Sequence, residues 1–137
     1  MTIRSSTAVA IFISVLIGWL DAGIASAQDQ PIKRTELLRT DISGVEAREA
    51  VVFTAELVPG GVATKHTHPG DEIVYVLEGL WIVEREGKEA ITLKPGELIK
   101  LPAGLAHLAK NGSDKEITKA LVFLVSEKGK PLATPVP

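Results

Sequence analysis

Glycine and proline interrupt this chain at short, regular intervals, and that punctuation limits what it can become. Ala50–Val58 stops at Pro59-Gly60-Gly61, Glu72–Leu77 at Glu78-Gly79, and Leu80–Arg85 at Glu86-Gly87-Lys88, which reads as a hairpin turn. Glu89–Leu93 then stops at Lys94-Pro95-Gly96, Glu97–Leu101 at Pro102-Ala103-Gly104, and Ala106–Ala109 at Asn111-Gly112-Ser113. Lys119–Val125 closes the series. The segments are rich in Val, Ile, Leu and aromatic residues, and none is long enough to establish a 3.6-residue period. Short apolar runs with turn residues every 8–12 positions or so predict an all-β sandwich or barrel. Pro31–Arg39 reads as a first strand or an ordered arm. Residues 127–137, with Pro131, Pro135 and Pro137, read as a loosely held tail,.

The first 27 residues have a different character. One positive charge, Arg4, precedes the apolar run Ala8–Leu20, and small residues Ala25 and Ala27 follow in an A-x-A pattern. This is the form of a secretory signal peptide, with cleavage expected after Ala27. The other reading is a retained anchor. Asp21 ends the apolar run well short of the roughly 20 residues that a spanning helix needs. The predicted organisation is therefore a signal segment, 1–27, and one domain, 28–137, in a periplasmic or secreted protein.

The chain has no cysteine, which excludes disulfides, thiolate zinc sites, iron–sulfur clusters and a thiol nucleophile,. Fifteen Lys and Arg against 17 Asp and Glu leave a formal net charge of −2. No block of like charge points to nucleic acid or to an anionic membrane surface.

Histidine is scarce, at three residues in 137. His66 and His68 form an H-x-H pair, and in a strand such residues face one side. Pro69-Gly70-Asp71 turns the chain, and Glu72 opens the next segment, so its carboxylate can return to the same place. His107 lies in a later predicted strand and joins the others only if the sheet folds back on itself. Three imidazoles and a carboxylate suit a divalent transition metal such as iron, manganese, nickel, copper, cobalt or zinc. An isolated H-x-H pair is equally ordinary polar surface, so spacing alone leaves both readings open.

The flanking residues add more. Gly60, His66, His68, Glu72 and Gly79 follow G-x5-H-x-H-x3-E-x6-G, and Gly96, Pro102, Gly104, His107 and Asn111 follow G-x5-P-x-G-x2-H-x3-N. In these two patterns the chain resembles a small single-domain member of the cupin superfamily, of the cupin type-2-like kind, over most of residues 35–126. The resemblance implies a jelly-roll barrel of six to eight strands, the double-stranded β-helix. It implies His66, His68, Glu72 and His107 as ligands to a metal inside, and it is compatible with a homodimer. Gly60, Gly79, Gly96 and Gly104 fall at strand ends, where turns often require positive φ. Asn111 reads as a turn residue rather than a ligand.

Alternation along the strands nominates Val74, Val76, Ile82, Leu101 and Phe123 as pocket lining or core. It sets Tyr75 on the face opposite Glu72. Trp81 is a wall or a dimer contact. Lys65, Arg48 and Lys100 are anchors for an anionic substrate or solvated surface. Beyond the metal, only Glu72 offers itself as a base. The expected function is a metal-dependent oxidoreductase of the dioxygenase kind acting on a small organic molecule. The alternatives are a module that binds a small molecule or metal without turnover, and a metal-dependent isomerase or cyclase.

Overall fold

The computed structural model describes residues 31–137; the predicted signal segment lies outside the described residues. Ten strands follow one another: β1 Ile32–Asp41, β2 Arg48–Leu57, β3 His66–Thr67, β4 Asp71–Glu78, β5 Trp81–Arg85, β6 Ile91–Leu93, β7 Leu98–Leu101, β8 His107–Asn111, β9 Thr118–Glu127 and β10 Thr134–Pro135. They form two five-stranded antiparallel sheets, ordered β1-β2-β9-β4-β7 and β10-β3-β8-β5-β6. No helix occurs among the described residues. The architecture is the expected all-β jelly roll.

The two-residue period of a strand decides what lies inside. On β2, Val51, Phe53, Ala55 and Leu57 are buried between outward-facing neighbours, and on β9 the buried row is Thr118, Ala120, Val122, Leu124 and Ser126. Val74 and Val76 on β4 meet Trp81 and Val83 on β5 across the interior. The same alternation carries polar groups inward. Glu72 shares the inner row of β4 with Val74 and Val76, and His107 shares that of β8 with Ala109 and Asn111.

One element differs from the sequence reading and another settles an open choice. The tail is tied down rather than loosely held. Thr134 and Pro135 pair with Thr67 and His66, and Leu132 packs against the core. Pro31–Arg39 resolves as strand β1, which pairs with β2 along its length and is exposed on both faces except at its first residue.

Phe123 is neither lining nor core. It is 42% exposed on the outer face, opposite Ile73 in the β4–β9 register. It lies one position out of phase with the buried row of β9. Ile82 is half-buried and also faces outward on its strand, whereas Val74, Val76 and Leu101 are buried as expected. Tyr75 lies on the outer face, and Trp81 is wall, only 3% exposed.

Gly60, Gly79, Gly96 and Gly104 all take positive φ, between 65° and 88°. A tighter constraint falls on Gly70, between the H-x-H pair and β4. A Cβ added there would sit 1.6 Å from the carbonyl oxygen of Val125. The start of β4 thus runs backbone against backbone with β9, and this approach brings Glu72 inside. Gly70→Ala is expected to destabilise the domain by about 1–3 kcal/mol through overpacking, measured by urea unfolding. Gly129→Ala, where the added carbon meets nothing within 4 Å, tests the separate cost of positive φ.

Candidate metal centre

Short connections set the imidazoles. Strand pairing places His66 directly opposite His107. His68 follows the two residues of β3, where its carbonyl accepts the amide of Gly104 at 2.9 Å. All three histidines and Glu72 are buried, each 5–6% exposed. The histidines' ligating atoms lie within 4.8 Å of one another.

Each ring is oriented from behind. Nδ1 of His66 lies 2.6 Å from the carbonyl oxygen of Thr64, that of His68 2.5 Å from Leu132, and that of His107 2.9 Å from Leu105. A carbonyl oxygen only accepts, so every Nδ1 carries the hydrogen and donates it. In the neutral rings this leaves the Nε2 lone pairs facing inward. Nε2 of His66 and His68 are 3.1 Å apart. The Glu72 carboxylate closes the group, with Oε1 3.3 Å from His68 Nε2 and Oε2 3.2 Å from His107 Nε2. Oε2 is buried and makes no hydrogen bond of acceptable geometry, despite that short distance.

Lone pairs and an unsatisfied carboxylate oxygen turned on one point repel one another unless something positive lies between them. A proton or a divalent cation can fill that role, and the nitrogen and oxygen donors suit the transition metals named above. The electrostatics shows the proton's version. Burial pushes His66 down to about 4, against the hydrogen bond to Thr64. Burial also opposes charge on His68, but the hydrogen bond and charge of Glu72 outweigh it, and its pKa is raised. Glu72 is lowered to about 2, because its contacts with His107 and His68 outweigh its burial.

An apolar wall that includes Phe53, Val74, Trp81, Leu101 and Val122 surrounds the group. The free space is ≈ 20 Å³, about that of one water molecule. Lys65, Arg48 and Lys100 line none of it. Lys100 pairs with Asp71 at 2.6 Å, Arg48 with Glu127 at 3.8 Å, and Lys65 with Glu86 at 3.9 Å. The cation at this cavity is Arg34 of β1, which the sequence reading missed. The period of β1 was the available signal, since Ile32, Arg34 and Glu36 share one side. Asn111 is not a ligand. Its Nδ2 lies 2.7–3.2 Å from the carbonyl oxygens of Leu57, Val58 and Glu116, tying the end of β2 to the turn after β8.

A sequence profile described as a cupin domain matches residues 53–124, which include all four clustered side chains. The chain belongs to the cupin family. It is 34% identical over 94 residues to the auxin-binding protein ABP19b of Prunus persica, covering 65% of this chain and 44% of that one. It is 33% identical over 79 residues to germin-like protein 1 of Brassica napus, covering 54% and 38%. This cupin thus spans less than half the length of either relative. Solved structures share the fold. An oxalate oxidase in complex with the substrate analogue glycolate superposes with a TM-score of 0.62 at 22% identity, over 81% of this chain and 58% of that one. A double-stranded β-helix protein of Klebsiella pneumoniae gives 0.64 at 18% identity, over 80% and 87%.

The Leu132 contact makes the tail part of the centre. A chain ending at Lys130 is expected to lose the fixed tautomer of His68 while His66 and His107 keep theirs. Ring 15N chemical shifts, recorded above the raised pKa of His68, read this directly.

Proposed function

We propose that this cupin is an exported protein that holds one divalent transition metal through His66, His68, Glu72 and His107. We further propose that it acts as a metal-dependent oxidoreductase of the dioxygenase kind on a small organic molecule. The observation that carries the reading is the convergence of inward Nε2 lone pairs and the orphaned Glu72 oxygen on one buried point. A metal bound there would act as a Lewis acid, polarising an oxygen-bearing substrate. The chain's own part is narrower. The Thr64, Leu132 and Leu105 carbonyls hold the rings, the apolar wall excludes bulk water, and the small cavity limits what reaches the centre. Glu72, held at about 2, is a weak base where it stands and serves as a ligand.

The cramped interior also favours a second reading, capture of a small ligand or metal without turnover. Oxygen uptake by metal-loaded protein across a panel of small acids, phenols and diketones separates the two. Consumption supports the enzyme, and tight binding with no consumption supports the module.

Purified protein is expected to carry about one transition metal per chain. A chain that stays empty after iron, manganese, nickel, copper, cobalt and zinc are each added would overturn the centre. His68→Ala is expected to keep the fold, seen by circular dichroism. It should lose metal by more than the roughly 10–100-fold typical of losing a group behind a ligand.

Proton competition follows from the shifts. Metal binding needs neutral His68, whose pKa is raised. Below that value each metal bound displaces at least the proton of His68, so affinity falls by about tenfold or more per pH unit on acidification and flattens at higher pH. His66 stays neutral down to about 4 and adds no proton in that window. Metal titrations from pH 5 to 9 check this, and a flat profile would contradict it.

A further inference from the structure

Among the described residues, seven lysines and arginines pair with a carboxylate, and Arg34 is one of the others. On its own strand, Arg39 is engaged by Glu36 and Glu49. Among the described residues, no carboxylate lies within ion-pairing distance of Arg34. Its place in the register explains where it points. Arg34 is opposite Ala55, which is buried, so its side chain leaves β1 on the interior side.

Two cavities meet at this side chain. Arg34 lines the inner one together with His66, Glu72 and His107. It also lines an open cleft of ≈ 260 Å³ between the start of β1 and the tail, with Ile32, Thr64, His66, Ala133 and Pro135. The guanidinium is near enough for its charge to act on Glu72 and His68. A divalent ion at the centre uses the charge of Glu72, and Arg34 then leaves the junction with an excess of positive charge. Such a place attracts anions, and because Arg34 is exposed along β1 the attraction is that of a charge on the wall of an open cleft, partly screened by water,.

The shapes narrow the class of anion. A guanidinium presents a planar fork that fits a carboxylate. The inner cavity takes about one oxygen-sized group, so the body of the ligand must stay in the cleft. We propose that Arg34 is a specificity-determining residue that selects a small carboxylic acid. Its acid group would enter past Arg34 toward the metal while the remainder sits between β1 and β10. This rests on the metal centre proposed above and names the substrate class for it.

The test uses Mn(II)-loaded full-length protein with acetate, acetamide and inorganic phosphate as probes, following water-proton relaxation and Mn(II) electron paramagnetic resonance. Acetate is expected to bind and to displace metal-coordinated water, whereas acetamide, of the same shape without the charge, is expected to bind far more weakly. Arg34→Gln should weaken acetate by about 10–100-fold, the worth of a charge-assisted hydrogen bond, with manganese content unchanged. Arg34→Lys, which keeps charge but loses the fork, should fall between. Equal acetate binding by wild type and Arg34→Gln, acetate no better than acetamide, or a preference for phosphate would each overturn the proposal and leave the metal centre standing. Wild-type protein that binds no metal would remove both.

Discussion

Three backbone carbonyls, those of Thr64, Leu105 and Leu132, govern the interior of this barrel. By accepting the Nδ1 hydrogens they fix three rings and turn their other nitrogens on a single point. The interior is otherwise suited to aliphatic side chains, and polar groups inside it are costly unless satisfied. Here the satisfaction is incomplete. One oxygen of Glu72 is left without a hydrogen bond, a shortfall of about 1–3 kcal/mol for an ordinary polar group and more for a charged one. The surrounding sheets hold this arrangement in place. Val74 and Val76 continue the row of Glu72, Ala109 continues that of His107, and both rows are anchored in the common core. A cluster that is poor as packing is good as a cation receptor.

The position of the cluster follows from backbone constraints more than from the ligands themselves. Gly70 lets β4 begin against β9, and β3 need pair for only two residues to bring His66 opposite His107. The tail completes the enclosure by pairing with β3 and by offering the Leu132 carbonyl to His68. Two short motifs thus carry all four side chains of the centre, and the segments that flank them lie outside both motifs. In this chain those flanks are β1 and β10, and they form the approach to the centre.

What the sequence made legible divides along the same line. Strands β2 and β4–β9 could be read because their apolar runs and their Gly and Pro stops are local signals, and the clustered side chains because they sit at fixed offsets from those stops. The ends were harder. Residues 127–137 carry three prolines and little periodicity, and what holds them is a single two-residue pairing and one carbonyl, neither of which leaves a mark in composition. Phe123 was misplaced because β9 carries large apolar residues on both faces, Val122 and Leu124 inward and Leu121, Phe123 and Val125 outward, so side-chain type did not mark the inner face. Arg34 was overlooked because β1 is polar on both sides, and only its pairing with β2 reveals which side looks toward the histidines.

The pairing of β2 with β9 has a kinetic consequence. Arg48 lies opposite Glu127 and Leu57 opposite Thr118, so the middle of the larger sheet joins segments from the two ends of the domain. Almost everything between them must be looped out before the first of those contacts forms, and closing so long a loop is an entropic barrier. Chains dominated by such distant contacts fold in milliseconds to seconds rather than microseconds. His68 and Leu132 are also far apart in sequence, so the histidine pocket has its final geometry only once those distant segments have met. The imidazoles are held together by the finished barrel, and selectivity among metals would belong to it alone.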